Sequence, residues 1–179
     1  PFIEQDTAAM MRQMLEWTQH ESEHLRRLAS EGCRPRLPWA SSLPDFKRDP
    51  APILPLLAQL RDDESAYVRR SVANNLNDIA KDHPERVISL LHDWAQDASP
   101  QRWWIIRHGL RTLIKAGHPD ALALLGYEAG AAVQVRGVQV TPDPVAIGDA
   151  VTFRWQIQSQ SDQTQNLLID YVLHFVKAN

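Results

Sequence analysis

Glu31, Arg34, Arg36 and Trp39 are crowded into one short stretch, Glu31-Gly32-Cys33-Arg34-Pro35-Arg36-Leu37-Pro38-Trp39. A helix breaking at Gly32 runs here into a turn stiffened by two prolines, so the charged and aromatic groups point in fixed directions. A carboxylate, a guanidinium pair and a large indole side by side suit one task. They grip something anionic while holding an aromatic face against a cationic or flat group. Cys33 sits among them without a positioned partner, so it is assigned no chemistry. Seven histidines show no metal-ligand spacing and no glycine-rich phosphate loop exists, so neither a metal nor a cofactor is expected.

An internal repeat positions these groups. Three segments align without gaps, each with an apolar anchor (Trp17, Leu60, Trp94) followed nine residues later by Arg26, Arg69 or Trp103. The anchor spacings of 43 and 34 residues fall in the range of paired-helix solenoids. The pattern predicts first helices at about 7–18, 51–61 and 84–95, and second helices at about 21–30, 64–81 and 100–115. Asp49-Pro50 and His83-Pro84 put a proline where a helix can start, and Gly117-His118-Pro119 ends the last long one. Leu113, Leu122 and Leu125 are expected to cap the stack, with Trp17 and Trp94 as core anchors. Trp103 and Trp104 are adjacent, so one points inward and the other meets a partner. The arrangement resembles HEAT-like repeats, whose second helices line the concave face.

Composition narrows the class. The 179 residues are 44% apolar, enough for a packed core, and no apolar run reaches the ~20 residues of a membrane span. A lone cysteine fits a reducing compartment, so a cytoplasmic protein is expected. The net charge of −3 gives no argument for nucleic acid, but local clustering does. Between His24 and Arg48 six cations (Arg26, Arg27, Arg34, Arg36, Lys47, Arg48) face only Glu31 and Asp45. A second set, Arg102, Arg107, Arg111 and Lys115, has no acid within it. Either alone reads as a solvated helix face; two at equivalent repeat positions suggest a shared basic surface.

After Gly126 the period changes to two. Residues 133–140, 151–157 and much of 167–176 alternate apolar and polar, separated by turn clusters. They read as opening strands of an immunoglobulin-like sandwich with Trp155 facing inward. The expected architecture is an α+β multidomain one. Residues 1–126 form an all-α HEAT-like solenoid and 131–179 a partial immunoglobulin-like β domain. The chain opens on Pro1 and holds only about half the residues such a β domain needs, so sequence on both sides is expected.

The repeats, the Arg-Pro-Arg-Leu-Pro-Trp turn and the β segment together resemble the HEAT-like-repeat DNA glycosylases that remove alkylated bases, the AlkC type in particular. The specific segments run from Val68-Arg69-Arg70-Ser71 through Asn74-Asn75-Leu76-Asn77-Asp78 to His83-Pro84, and from Arg102-Trp103-Trp104 to Arg107-His108-Gly109-Leu110-Arg111. The resemblance implies duplex DNA with alkylated bases as partner, and hydrolysis of the bond between deoxyribose and an N-alkylated purine such as 3-methyladenine. It implies Glu31 and Arg34 as the family's Glu-Gly-x-Arg pair, Trp39 as the aromatic against the lesion and Asp78 as the acid at the catalytic centre. Arg34, Arg36, Arg69, Arg70, Trp104, Arg107 and Arg111 are the residues expected to meet DNA.

Residue chemistry agrees with that implication. A ring-methylated base is cationic and leaves readily, so catalysis needs a fixed carboxylate to stabilise oxocarbenium character more than it needs a strong acid. Three amides, Asn74, Asn75 and Asn77, surround Asp78 in sequence and could hold such a carboxylate oriented. Each assignment has a plainer rival. Asp78 could pair with Arg34 or Lys81, Glu31 could only orient Arg34, and Trp39 could plug a gap between repeats. The rival function is a non-catalytic repeat scaffold, which would need the arginines and not Asp78.

Overall fold

Each long helix begins where the sequence supplies a cap. The structure is a computed structural model describing residues 2–127, 130–142, 144–146 and 148–172. Its first compact unit spans Pro1–Leu125. There, α1 (Phe2–Gln5) and α2 (Thr7–Trp17) precede α3 (Glu23–Glu31), and α4 (Pro44–Arg48) and α5 (Leu54–Leu60) lead into α6 (Ala66–Ala80). Then follow α7 (Pro84–Ala95), α8 (Pro100–Gly109), α9 (Arg111–Lys115) and α10 (Pro119–Leu124). Asp6 and Ser99 accept the backbone N–H three residues on, Ser65 accepts that of Tyr67, and Pro84, Pro100 and Pro119 occupy first turns. Gly117, at φ 70°, closes α9 with N–H bonds from Gly117 to Ile114 and from His118 to Leu113, both 3.0 Å.

The paired-helix plan holds, with departures that include the unexpected short helices α1 and α10. The helix expected from 51 starts at Leu54, because Ile53 N–H turns back onto Pro50 O at 2.9 Å. The short α4 was not foreseen. The single helix expected over 100–115 is interrupted at Leu110 (φ −90°, ψ 0°), giving α8 and α9. Gly109 precedes the break. A Cβ there would lie 3.2 Å from Leu76 Cβ, so the close approach of α8 to α6 favours glycine, which weakens the helix locally.

α6 is the centre of the unit, packed against α3, α7 and α8. Val68, Val72, Leu76 and Ile79 from α6 meet Ala29, Leu56, Leu57, Val87, Leu91, Ile105 and Ile106 in one buried core. Trp94 is buried and Trp17 partly so, as anchors should be; Leu113 is buried, with Leu125 packed against the core.

The repeat alignment has a structural cause. Arg26 donates to the carbonyls of His20 and Glu21, and Arg69 to those of Asp63 and Glu64, in each case six and five residues back. Each guanidinium clips the turn ahead of its own helix. Both meet at Asp63, whose carboxylate also holds Arg26 at 2.6 Å, so the two arginines share one side of the helical layer. In the third repeat Arg102 does the equivalent work, bonding Trp94 O, Asp97 and Asp62.

The second unit, Gly126–Asn179, contains β1 (Val133–Thr141) antiparallel to β2 (Thr152–Ser159), with a bulge between Arg136 and Gln139 where Gly137 takes φ 61°. Val135, Val138, Phe153, Trp155 and Ile157 form its apolar face, with Phe153 stacked on Trp155 at 5.3 Å. Trp155, expected to face inward, lies on this apolar face but is exposed, as is the whole of β2. Of the third expected strand, 167–172 has no strand conformation, although Leu167 to Tyr171 line the same apolar face; 173–176 lie outside the described residues.

Candidate active site

One stripe of α6 organises the site: Tyr67, Arg70, Asn74, Asp78 and Lys81, spaced three or four residues apart and so on one face. α3 flanks it with Arg27 and Glu31, and α8 and α9 flank it with Trp104, His108 and Arg111. Contacts join the three rows. Arg27 lies over the Tyr67 ring at 4.4 Å, Arg34 reaches Asp78, and Arg111 reaches Asn74.

At the α3–α6 junction Arg34 is clamped between two acids. Its Nε donates to Asp78 Oδ2 at 2.9 Å and its Nη1 to Glu31 Oε1 at 2.6 Å. Lys81 Nζ approaches the other Asp78 oxygen at 3.3 Å. Ser71 Oγ donates to Glu31 Oε2 at 2.8 Å, with Arg27 at 3.5 Å. Such a network is costly to break, because removing one partner leaves an uncompensated charge away from water. The acids differ in access: the Asp78 side chain is 3% exposed and that of Glu31 14%.

Next to the clamp lies a second cluster. Arg111 donates to Asn74 Oδ1 at 3.1 Å and to His108 O at 2.7 Å, both neutral acceptors. Burial lowers its pKa; the Asp78 charge opposes that shift and Arg34 adds to it. The His108 ring stacks under Trp104 at 4.7 Å and meets Asn74 Oδ1 at 3.3 Å. Burial, then Arg111 and Arg70, push its pKa below the ordinary value. Trp104 is the exposed member of the tryptophan pair, and Trp103 packs on the core. Beyond it a cleft of about 390 Å³ is lined by Arg69, Arg70, Gln101 and Trp104.

Glu31, Arg34 and Asp78 therefore converge. Trp39 does not join them: it is fully exposed on the turn, at φ 64°, a conformation few residues other than glycine adopt. The turn arginines need correction as free phosphate contacts, since Arg34 is buried and doubly paired and Arg36 is held by Asp82 at 2.6 Å. Arg69 is likewise occupied by carbonyls. Arg70 and Arg107 are exposed and, among the described residues, take part in no ion pair.

Sequence reasoning missed Ser30, Ser71 and Tyr67, and placed Arg27 only in a general basic cluster. The helical stripe through 67, 70, 74, 78 and 81 would have pointed to Tyr67; the buried serines left no signal. It also missed a gathering of Glu85, His118 and Asp120 within 4.8 Å at the starts of α7 and α10. Helix N-termini favour carboxylates without further help.

This helical layer carries clustered carboxylates and arginines, and an antiparallel β segment follows it in the chain. The DNA alkylation repair enzyme family matches residues 1–113, and the chain belongs to it. Residues 134–179 match the C-terminal Ig-like domain of the uncharacterised protein YhaZ. The Bacillus subtilis (strain 168) protein YhaZ is 47% identical over 178 residues, covering 99% of this chain and 49% of that protein. The structure of Pseudomonas fluorescens alkylpurine DNA glycosylase AlkC bound to DNA containing an abasic site analog is similar at a TM-score of 0.85 and 44% identity. That match covers 89% of this chain and 44% of the other. The chain thus spans about half the length of the proteins it matches.

Proposed function

We propose that this chain carries the catalytic face of a DNA glycosylase that hydrolyses the bond between deoxyribose and an N-alkylated purine such as 3-methyladenine. The observation that carries the reading is the convergence of Glu31 and Asp78 on one side chain, Arg34, beside Arg111. Family membership and the likeness to an alkylpurine glycosylase on DNA support it. Residues 1–126 serve as the HEAT-like catalytic domain and 131–179 as the immunoglobulin-like one. The partner is double-stranded DNA with alkylated bases, met in the cytoplasm; among the described residues no helix is long and apolar enough to cross a membrane.

In the reaction the C1′–N bond breaks and its electron pair leaves with the cationic base, which becomes neutral. Positive charge then builds on the sugar. Glu31 and Asp78 supply fixed negative charge there, and water adds at C1′ and gives up its proton to the surrounding solvent. Preorganised charge of this kind is usually the largest catalytic contribution. Arg34 keeps the two carboxylates from repelling each other and holds them in place. Trp39 stands ready to lie against the cationic base. Arg70, Arg107 and Arg111 offer phosphate contacts that position the duplex without reading its sequence.

One observation favours the scaffold reading. Both oxygens of Asp78 are occupied, by Arg34 and Lys81. Lys81, half exposed and at 3.3 Å, is the partner that moves most easily, and its departure frees Oδ1. Single-turnover base release from methylated duplex tests the two readings, because a scaffold releases none.

A further inference from the structure

We propose that Ser71, backed by Ser30, is a positioning residue that fixes the Glu31 carboxylate for its part in base release. The inference rests on the glycosylase reading above.

Both serines are buried at the α3–α6 interface, Ser30 at 0% and Ser71 at 1% exposure, among Ala29, Val68 and Val72. Packing alone would be served by alanine, which also suits a helix better. A buried hydroxyl must find a partner, and these two find each other at 2.8 Å. The direction of the chain is fixed at its far end. The ionised Glu31 carboxylate can only accept, so Ser71 donates its proton to Oε2 at 2.8 Å. Ser71 Oγ is then left to accept from Ser30. The hydroxyls polarise one another toward the carboxylate, which strengthens the last bond.

Geometry shows why that bond matters. Arg34 holds Oε1 at 2.6 Å from one side, and Ser71 holds Oε2 from α6 on the other. Two donors on separate elements prevent the carboxylate plane from turning. Without Ser71, Oε2 keeps, among the described residues, only Arg27 at 3.5 Å, and that guanidinium is also engaged with the Tyr67 ring. The carboxylate would then swing about its bond to Arg34. A poorly aimed charge loses the advantage of preorganisation.

Ser71→Ala is a clean probe, because Ser30 can return its proton to Arg27 O at 3.1 Å and no donor is orphaned. A hydrogen bond to a charged group is worth roughly ten- to a hundredfold. In the protein as encoded, single-turnover release of 3-methyladenine should slow at least about tenfold in Ser71→Ala, with affinity for the same duplex unchanged. In a Glu31→Gln background the same change should cost nothing further, since the charge it serves is gone. Ser30→Ala should show a smaller, few-fold loss that also vanishes in that background, and it decides the matter if Ser71→Ala does not fold. Wild-type rates in both serine variants, or equal losses with and without Glu31, would overturn the proposal. Absence of release by the wild type would instead sink the glycosylase reading itself.

Discussion

Arg34 Nε lies 2.9 Å from Asp78 Oδ2, although 44 residues separate them in the chain. The bond ties the turn after α3 to the last turn of α6, and Glu31 completes the clamp at 2.6 Å. Removing the arginine leaves two carboxylates facing each other with little exposure. Arg34→Met should therefore cost about 3–5 kcal/mol in denaturant unfolding. Asp78→Asn leaves Arg34 with Glu31 and should cost about 1–3 kcal/mol. Equal unfolding midpoints for the two variants would contradict this ordering.

Phosphate contact should come from arginines without acidic partners. Arg70→Ala and Arg107→Ala should each lower the slope of log affinity against log salt by about 0.9, on methylated and plain duplex alike. Arg34, spent on Glu31 and Asp78, should leave that slope unchanged when replaced by lysine. A slope change for Arg34→Lys with none for Arg70→Ala would reverse the assignment.

Trp39 holds a left-handed backbone with its indole in solvent. Strain of that kind persists at functional positions. Trp39→Gly should relieve about 1 kcal/mol of it and unfold no earlier than the wild type. Base release should nevertheless slow. If Trp39→Gly is destabilised and fully active, the indole packs between repeats after all.

His108 is half-buried near Arg111 and Arg70, and desolvation, then those charges, hold its pKa below the ordinary 6.5. The unfolded chain therefore binds its proton first as pH drops. Stability contributed by the neutral ring is present above about 6.5 and lost as pH falls through the lower folded value. An NMR titration should place the ring's midpoint below 6.5, and a midpoint above it would show that the ring is not desolvated.

How far the sequence led can be seen residue by residue. Trp94 declared itself as a repeat anchor, and Arg26 and Arg69 by repeat position, because repeats preserve the same turn clip. The break at Leu110 was hidden; just before it, Gly109 closely approaches Leu76 in another helix. For the site, Glu31, Arg34 and Asp78 were visible as residue types, yet the closing of Arg34 onto Asp78 depends on helix packing. The basic stretch around Arg34 and Arg36 misled for the same reason: their acids lie on α6 and just beyond it, far along the chain.

The central claim is that this face breaks N-glycosidic bonds with fixed carboxylate charge. Single-turnover release of 3-methyladenine, with duplex affinity measured in parallel, tests it in the protein as encoded. The wild type should release the base, and Asp78→Asn should do so at least about a hundredfold more slowly while binding DNA as well or slightly better. Full activity in Asp78→Asn would contradict the claim.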